Sequence, residues 1–244
     1  MRNLRIDICY EGTRYRGWQR LSATDNTIQE KLERTLSRIL DEPITVSASG
    51  RTDAGTHAKL QVVSFHCQSK MPCDEILLQL RRYLPEDIGI YSCKNVSERF
   101  HARLNAKAKT YAYRVWNSDK PCVFDRKFVY IHPAELDIAA MKQAAEHFLG
   151  EHDFVAFCAT KNTKKSTVRY IHSLSIDRVG DEIVFSVTGN GFLHHMVRII
   201  VGTLLEVGRG ERKADSIPSL FSAKRADAGE LIPACGLCLM EVNY

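Results

Sequence analysis

The densest group of side chains that could do chemistry lies between residues 50 and 58, where the sequence reads Gly-Arg-Thr-Asp-Ala-Gly-Thr-His-Ala. This loop carries a guanidinium at Arg51, a carboxylate at Asp53 and an imidazole at His57. A carboxylate on such a loop can act as a general base or as a nucleophile. An Asp between two glycines is also a common turn former, so the loop alone leaves catalytic and structural interpretations open.

Signatures of several other enzyme classes are missing from the sequence. It contains no phosphate-cradling GxxxxGK[ST] or GxGxxG motif and no GxSxG nucleophile elbow. No second acid lies near Asp53 for a two-carboxylate glycosidase. His194 and His195 are adjacent, so on a helix they would point about 100° apart instead of facing one ion. Cys235 and Cys238 form a single CxxC, without the second pair of a zinc ribbon. We therefore expect neither a metal site nor a cofactor.

The elements that must position the loop follow an order that occurs twice. Hydrophobic periodicity predicts strand, helix, strand, strand, helix and strand over residues 4–10, 27–43, 44–49, 61–67, 72–84 and 88–96. The same order returns over residues 110–116, 138–149, 168–178, 183–188, 194–207 and 237–242. Thr27 with Glu30 has capping-box spacing, Gly150 suggests a helix end, and Gly180-Asp181 suggests a hairpin turn.

This βαββαβ order is that of a ferredoxin-like unit. We expect an α+β protein of two such halves, residues 1–105 with the Asp53 loop and residues 106–244 completing the site. Their strands would form a central, mainly antiparallel sheet with a basic cleft between the halves. The same order also describes RNA-recognition modules, so a non-catalytic tandem RNA-binding protein remains an alternative. The aromatic K/R-G-F/Y-G/A-F-V-x-F/Y strand of those modules does not occur in the sequence.

Composition sets broad limits on location and partners. The chain has 244 residues, is 44% hydrophobic and carries a formal net charge of +5, which permits an anionic partner such as RNA. The N-terminus lacks the apolar core of a signal peptide, and no run approaches the ~18 apolar residues of a membrane span. The eight cysteines are scattered, as expected for reduced core residues. These features predict a soluble, cytoplasmic protein.

Long motifs along the chain resemble one enzyme family. The loop at residues 50–58 is closely similar to the signature of the TruA family of tRNA pseudouridine synthases. Further stretches resemble the other motifs of that family: Tyr10–Gln19, Phe100–Arg103, Lys109–Tyr113, Asn190–Arg198 with Gly202, and Gly236–Leu239. Two positions depart from the family pattern, since Thr56 stands where Val is usual and Cys238 where Tyr is usual.

The resemblance implies a pseudouridine synthase fold and a role for particular residues. It implies that Asp53 is the catalytic carboxylate, either attacking the ribose C1′ or removing a ribose proton. Arg198 resembles the basic partner of that carboxylate. Tyr111 matches the tyrosine that stacks on a uracil taken out of the helix. Phe192 and Leu237 are expected to form apolar walls that exclude water.

The resemblance also implies a substrate and an assembly. It implies isomerisation of uridines 38, 39 and 40 in the anticodon arm of tRNA by a homodimer, without a cofactor. A pseudouridine synthase acting on another RNA, such as rRNA, remains the second alternative. We expect RNA phosphates to contact Arg51 and three basic runs. These runs comprise Arg14, Arg16 and Arg20; Arg103, Lys107 and Lys109; and Lys161, Lys164, Lys165 and Arg169.

Overall fold

The computed structural model describes residues 1–160 and 166–244. Its strands are β1 (Arg2–Tyr10), β2 (Ser47–Ala48), β3 (His57–Cys67), β4 (Ile88–Val96), β5 (Ala108–Trp116), β6 (Tyr130–Ile131), β7 (Gly150–Asp153), β8 (Val168–Val179), β9 (Glu182–Gly189) and β10 (Leu237–Asn243). Its α-helices are α1 (Ile28–Leu40), α2 (Cys73–Tyr83), α3 (Ile138–Glu146) and α4 (Met196–Gly208). Each predicted element is present, and the predicted α+β class is confirmed.

The first compact unit comprises Met1–Lys107 together with Cys238–Tyr244. Strands β4, β1 and β3 are antiparallel neighbours, with Ile6 opposite both Val63 and Cys93. The apolar alternation of β1 buries every second side chain completely, as the period of a half-buried strand requires. Helices α1 and α2 bury Leu32, Leu36, Ile76 and Leu80 in the same unit.

The last strand groups with this first unit, although it ends the chain. Strand β10 pairs in parallel with β3 at Cys238↔His57, while the two-residue β2 pairs with β3 at Ala48↔Val63. The predicted subdomains, residues 1–105 and 106–244, place that strand with the second half. Strand pairing joins residues that are remote in sequence. The predicted subdomains, which follow chain order, therefore differ from the compact units, which follow contacts.

The second compact unit comprises Ala108–Leu237. Strands β5, β9, β8 and β7 are antiparallel neighbours in that order. The β8–β9 hairpin turns through Gly180 and Asp181 as predicted, with Gly180 in the left-handed region at φ 60°. A glycine adopts that conformation without steric cost. The core contains large side chains with no exposed surface, among them Tyr113, Phe148, Phe154, Phe157 and Phe185.

Some predicted boundaries are wrong. The strand predicted over residues 44–49 shrinks to Ser47–Ala48. Gly150, predicted to end a helix, opens β7, whereas α3 already ends at Glu146. Helix α4 begins at Met196 and not at His194, because His195 adopts a left-handed conformation at φ 64°.

Two further features agree with the sequence. All eight cysteines are free thiols, and Cys238 lies within a strand as expected. Among the residues described, no helix has both the length and the apolar character needed to cross a bilayer.

The start of α1 yields the first testable prediction. Thr27 is the N-cap, and its hydroxyl accepts a hydrogen bond from the amide of Glu30 at 3.3 Å. Replacing Thr27 by Ala leaves that amide without its cap, so we expect the free energy of unfolding to fall by about 1 kcal/mol. Chemical denaturation measures the loss. Thr27→Ser retains the hydroxyl acceptor, so its free energy of unfolding should fall less than that of Thr27→Ala. An equal fall in both variants would contradict the capping role.

Candidate active site

The Asp53 loop ends in a tight turn that leads into β3. The amide of Thr56 donates to the carbonyl of Asp53 at 3.1 Å, and Gly55 adopts φ 80°. Asp53 is half-buried, while Arg51 before it is exposed. The turn thus keeps Asp53 only partly exposed, directly before the start of β3.

Residues 10–19 hold this loop through three hydrogen bonds. The amide of Trp18 donates to the carbonyl of Thr52 at 3.0 Å, and the amide of Gly12 donates to His57 Nδ1 at 3.0 Å. The buried hydroxyls of Tyr10 and Thr52 are 2.8 Å apart. The bonds therefore fix the loop backbone at Thr52, before Asp53, and the side chain of His57 after it. His57 has a positioning role here, which the sequence did not indicate.

Glycine is required where this segment crosses the loop. A Cβ on Gly12 would lie 1.9 Å from the carbonyl oxygen of Thr56. Gly17 has φ +90°, and a Cβ there would lie 2.8 Å from the carbonyl oxygen of Thr52. Two backbones can approach this closely only where side chains are missing. These glycines are the signal in the sequence that could have revealed the contact.

A second set of contacts ties the loop to the sheet and to α1. Gln61 Nε2 donates to the carbonyl of Gly50 at 2.9 Å, and the Ser49 hydroxyl donates to Gln61 Oε1. At the other side, the amide of Ile28 donates to the carbonyl of Gly17 at 3.2 Å. The segment over the loop is thereby attached to the first turn of a helix. The loop backbone is thus held by rigid elements.

Two tyrosines of the segment are held in the neutral form. Burial raises the pKa of Tyr10 well above its usual range, against the opposing effect of its hydrogen bonds with Thr52 and Gln61. Burial also raises the pKa of Tyr15, whose hydroxyl donates to Asp87. Asp87 in addition accepts from Arg14 Nη2 at 2.7 Å. Tyr15 and Arg14 therefore anchor the same segment through one carboxylate.

Both departures from the family pattern adjoin the loop. Thr56 lies in the turn itself, and within residues 1–160 and 166–244 its buried hydroxyl has no hydrogen-bond partner. Cys238 lies opposite His57 in the pairing of β10 with β3. A valine at position 56 would fill the same volume without an unpaired polar atom. The two exchanges therefore affect the packing around the loop and leave Asp53 in place.

The remaining predicted site residues belong to the second unit. Tyr111 is a buried residue of β5, and the ring of Phe192 meets its ring edge-on with centroids 5.1 Å apart. Arg198 is half-buried in the first turn of α4, and its Nε donates to the carbonyl of Ile232 at 2.8 Å. Leu237 is buried. The structure brings Tyr111 together with Phe192, whereas the approach of this set to Asp53 stays a prediction.

His194 and His195 differ from the expected helical arrangement. Both precede α4, and their ring centroids are only 3.7 Å apart. The left-handed backbone of His195 turns its ring toward that of its neighbour. The prediction that they point apart on a helix is therefore wrong.

The basic residues predicted to contact RNA occupy different environments. Arg14 pairs with Asp87, and Arg20 Nη1 lies 3.0 Å from Glu33 Oε2. Burial lowers the pKa of Arg169, which donates to the carbonyl of Ser166 at 3.0 Å. Arg14 and Arg20 are nevertheless exposed, as are Arg16, Arg103 and Lys107, whereas Lys109 and Arg169 are half-buried. Lys161, Lys164 and Lys165 lie outside the described residues. All these phosphate contacts stay predictions.

Comparison with known proteins identifies close relatives. A family model described as tRNA pseudouridine synthase matches residues 8–105 and 144–244. The chain is 43% identical to tRNA pseudouridine synthase A 2 of Bacillus cereus and 46% identical to tRNA pseudouridine synthase A 1 of Clostridium tetani. Each match covers 100% of both chains. A fainter likeness, with a TM-score of 0.42 and 13% identity, covers 97% of this chain and 48% of a chain in a Cbf5-Nop10-Gar1 complex. We draw nothing from that fainter likeness.

The two threonines of the loop provide a matched test of its packing. Replacing Thr56 by Val removes a buried hydroxyl that lacks a partner, so we expect the free energy of unfolding to rise by about 1 kcal/mol. Replacing Thr52 by Val removes one hydrogen bond of the buried Tyr10 hydroxyl and should lower it by about 1 kcal/mol. Denaturant titration of both variants measures the two changes. Changes of the same sign would contradict the hydrogen bonding described for the loop.

Proposed function

The chain belongs to the tRNA pseudouridine synthase family, and on that premise we propose that it isomerises uridines 38, 39 and 40 of the tRNA anticodon arm with Asp53 as its catalytic carboxylate. The relatives support isomerisation of uridine in tRNA. The positions on the tRNA and the roles of individual residues are the finer part of the proposal. The observation that best supports the proposal is the Asp53 loop, whose position is fixed by hydrogen bonds from residues 10–19.

The reaction requires no net oxidation or reduction. The bond between uracil N1 and ribose C1′ breaks, the base turns, and a bond forms between C5 and C1′. The proton that leaves C5 is balanced by the proton that N1 acquires, so the product is an isomer of the substrate. Acid–base or nucleophilic chemistry by a side chain suffices for these steps, and we propose that no cofactor takes part.

Asp53 can serve this reaction in either of two ways. Its carboxylate can attack C1′ and hold the ribose while the base turns, or it can remove a ribose proton. Both roles need an ionised carboxylate at a fixed place, because misplacement of a reacting group by 1 Å costs large factors in rate. The hydrogen bonds from Trp18 and Gly12 support such a fixed place, since they hold the Thr52 carbonyl before Asp53 and the His57 side chain after it.

The second unit supplies the proposed contacts to the base. Tyr111 offers an aromatic ring for stacking on a uracil removed from the RNA stack, and Phe192 supports that ring from its edge. Phe192 and Leu237 would limit access of water, which otherwise captures the ribose once the base has left. We propose that Arg198 favours the ionised form of Asp53 in the assembled enzyme.

Further parts of the proposal concern RNA binding and assembly. We propose that exposed cations, Arg51, Arg16, Arg103 and Lys107 among them, contact RNA phosphates and position the tRNA without reading its sequence. A homodimer located in the cytoplasm follows from the family resemblance and belongs to the same proposal. A second subunit would extend the surface available to a large substrate.

Loss of the Asp53 carboxylate tests the proposed chemistry. Asp53→Asn keeps the size of the side chain but removes its charge and basicity, so we expect pseudouridine formation in unmodified tRNA to fall by more than about 10³-fold. The dissociation constant for tRNA should stay within about twofold, because phosphate contacts dominate affinity.

The matched control is Asp74→Asn, which removes an exposed carboxylate from α2 in the same unit. Its activity should equal that of the wild type. A wild type that binds tRNA without forming pseudouridine would instead favour the non-catalytic RNA-binding module. Conversion of rRNA alone would favour a synthase for another RNA.

Substitution of Tyr111 separates stacking from the hydroxyl group. Tyr111→Phe retains the ring and should keep most of the activity. Tyr111→Ala removes the ring, and since stacking on a base contributes about 1–3 kcal/mol, we expect catalytic efficiency to fall about 5- to 150-fold. Rates are compared after thermal unfolding confirms that both variants are folded. Equal activity of the two variants would show that the ring does not stack on the substrate.

A further inference from the structure

A pocket of about 480 Å³ opens between α1 and α2 in the first unit, and neither the sequence motifs nor the proposed reaction uses it. Its lining includes Lys31, Arg34 and Arg38 from α1, with Gln79 and Tyr83 from α2. Spacings of three and four residues place the three cations on one face of their helix. We call this feature the α1–α2 basic pocket.

Carboxylates of the chain offset only part of this positive charge. Asp25 lies 3.5 Å from Lys31 Nζ and 4.0 Å from Arg34 Nη1. Glu75 accepts from Gln79 at the far side. Within the described ranges, neither Arg38 nor Arg82 has a carboxylate at ion-pair distance. Among the residues described, Asp25 is the one carboxylate at ion-pair distance from the three lining cations, which leaves an excess of positive charge on this concave surface.

An exposed aromatic ring completes the pocket. Tyr83 is 46% exposed, so part of its surface is accessible to a ligand. The guanidinium carbons of Arg38 and Arg82 each lie 5.5 Å from the centroid of its ring. A cationic groove beside an accessible ring is the combination that binds nucleic-acid backbone and lets a base stack.

We propose that the α1–α2 basic pocket binds phosphates of the tRNA substrate, as a second RNA contact outside the Asp53 loop. The proposal rests on the proposed function for the identity of the RNA. The amide of Ile28 at the start of α1 bonds to the segment that holds the loop. Arg38 lies ten residues further on, about 15 Å along the helix. A tRNA is large enough to reach both places.

The simpler interpretation of the α1–α2 basic pocket is a solvated helix face. Basic residues at helical spacing usually form such a face. Three features argue against it together. The surface is concave, it includes an exposed ring, and its Arg38 lies against that ring instead of pairing with an acid. Each of these groups can be removed without disturbing the core, because Arg34, Arg38, Arg82 and Tyr83 are all exposed.

The test compares salt-dependent tRNA binding by two double variants. The first, Arg34→Ala with Arg38→Ala, removes two pocket cations and replaces them with a good helix former. The control, Lys94→Ala with Lys142→Ala, removes two exposed cations from β4 and α3. If each pocket arginine contacts one phosphate, the plot of log affinity against log salt should become shallower by about 1.4 to 1.8 in the pocket variant. Its affinity near 100 mM salt should fall about 25- to 60-fold, and the control should match the wild type.

Tyr83 provides an independent arm of the test. Tyr83→Ala should weaken tRNA binding at least about fivefold if a base stacks on the ring, whereas Tyr83→Phe should bind as the wild type does. Loss of affinity in Tyr83→Phe equal to that in Tyr83→Ala would contradict stacking.

The outcome for the pocket is independent of the outcome for catalysis. Pseudouridine formation at saturating tRNA should be the same in the wild type and in the control double variant, because neither Lys94 nor Lys142 belongs to the pocket or to the Asp53 loop. A wild type without this activity would remove the proposed function, yet a shallower salt dependence confined to the pocket variant would still establish an RNA site. Equal affinity and slope in the pocket variant and the wild type, or an equal loss in the control, would overturn the inference.

Discussion

The close approach of two backbones, residues 10–19 and the Asp53 loop, is the constraint on which the rest of this site depends. Gly12 and Gly17 permit this approach because they have no side chains. At this distance the amides of Gly12 and Trp18 form hydrogen bonds with His57 and Thr52, which lie on either side of the carboxylate. Under the proposed mechanism, the Asp53 carboxylate must keep its position while the glycosidic bond breaks and the base turns. Such precision requires support from rigid elements, and here β3 and α1 provide it.

Local features of the fold could be predicted because they depend on nearby residues. The alternation in β1, the Thr27 cap and the Gly180-Asp181 turn each follow from a few adjacent side chains, and strand β4 has the bounds that periodicity predicts. The placement of β10 beside β3 could not be predicted, since pairing across more than 170 residues leaves no periodic signal. The contact between residues 10–19 and the loop also joins separate stretches of chain, but there Gly12 and Gly17 mark the close approach in the sequence.

The sequence and the structure point to different basic residues as contacts for RNA. Arg14 and Arg20 form a basic run in the sequence, but both pair with carboxylates in the folded chain. The cations of α1 are separated by apolar and polar residues and form no run, yet the helix gathers them around one pocket. Folding therefore decides which cations share one surface. Ion pairs alone do not distinguish the two sets, since Lys31 and Arg34 also lie near Asp25. The charges counted along the sequence indicate the class of partner, but they do not identify the protein surface that binds the partner.

The most direct test of the account is a positional map of pseudouridine in unmodified tRNA after incubation with the wild-type protein. The account predicts new pseudouridine at positions 38, 39 and 40 of the anticodon arm and at no other uridine, without any added cofactor. Conversion confined to uridines elsewhere in the tRNA, or none in a preparation that binds tRNA tightly, would contradict it.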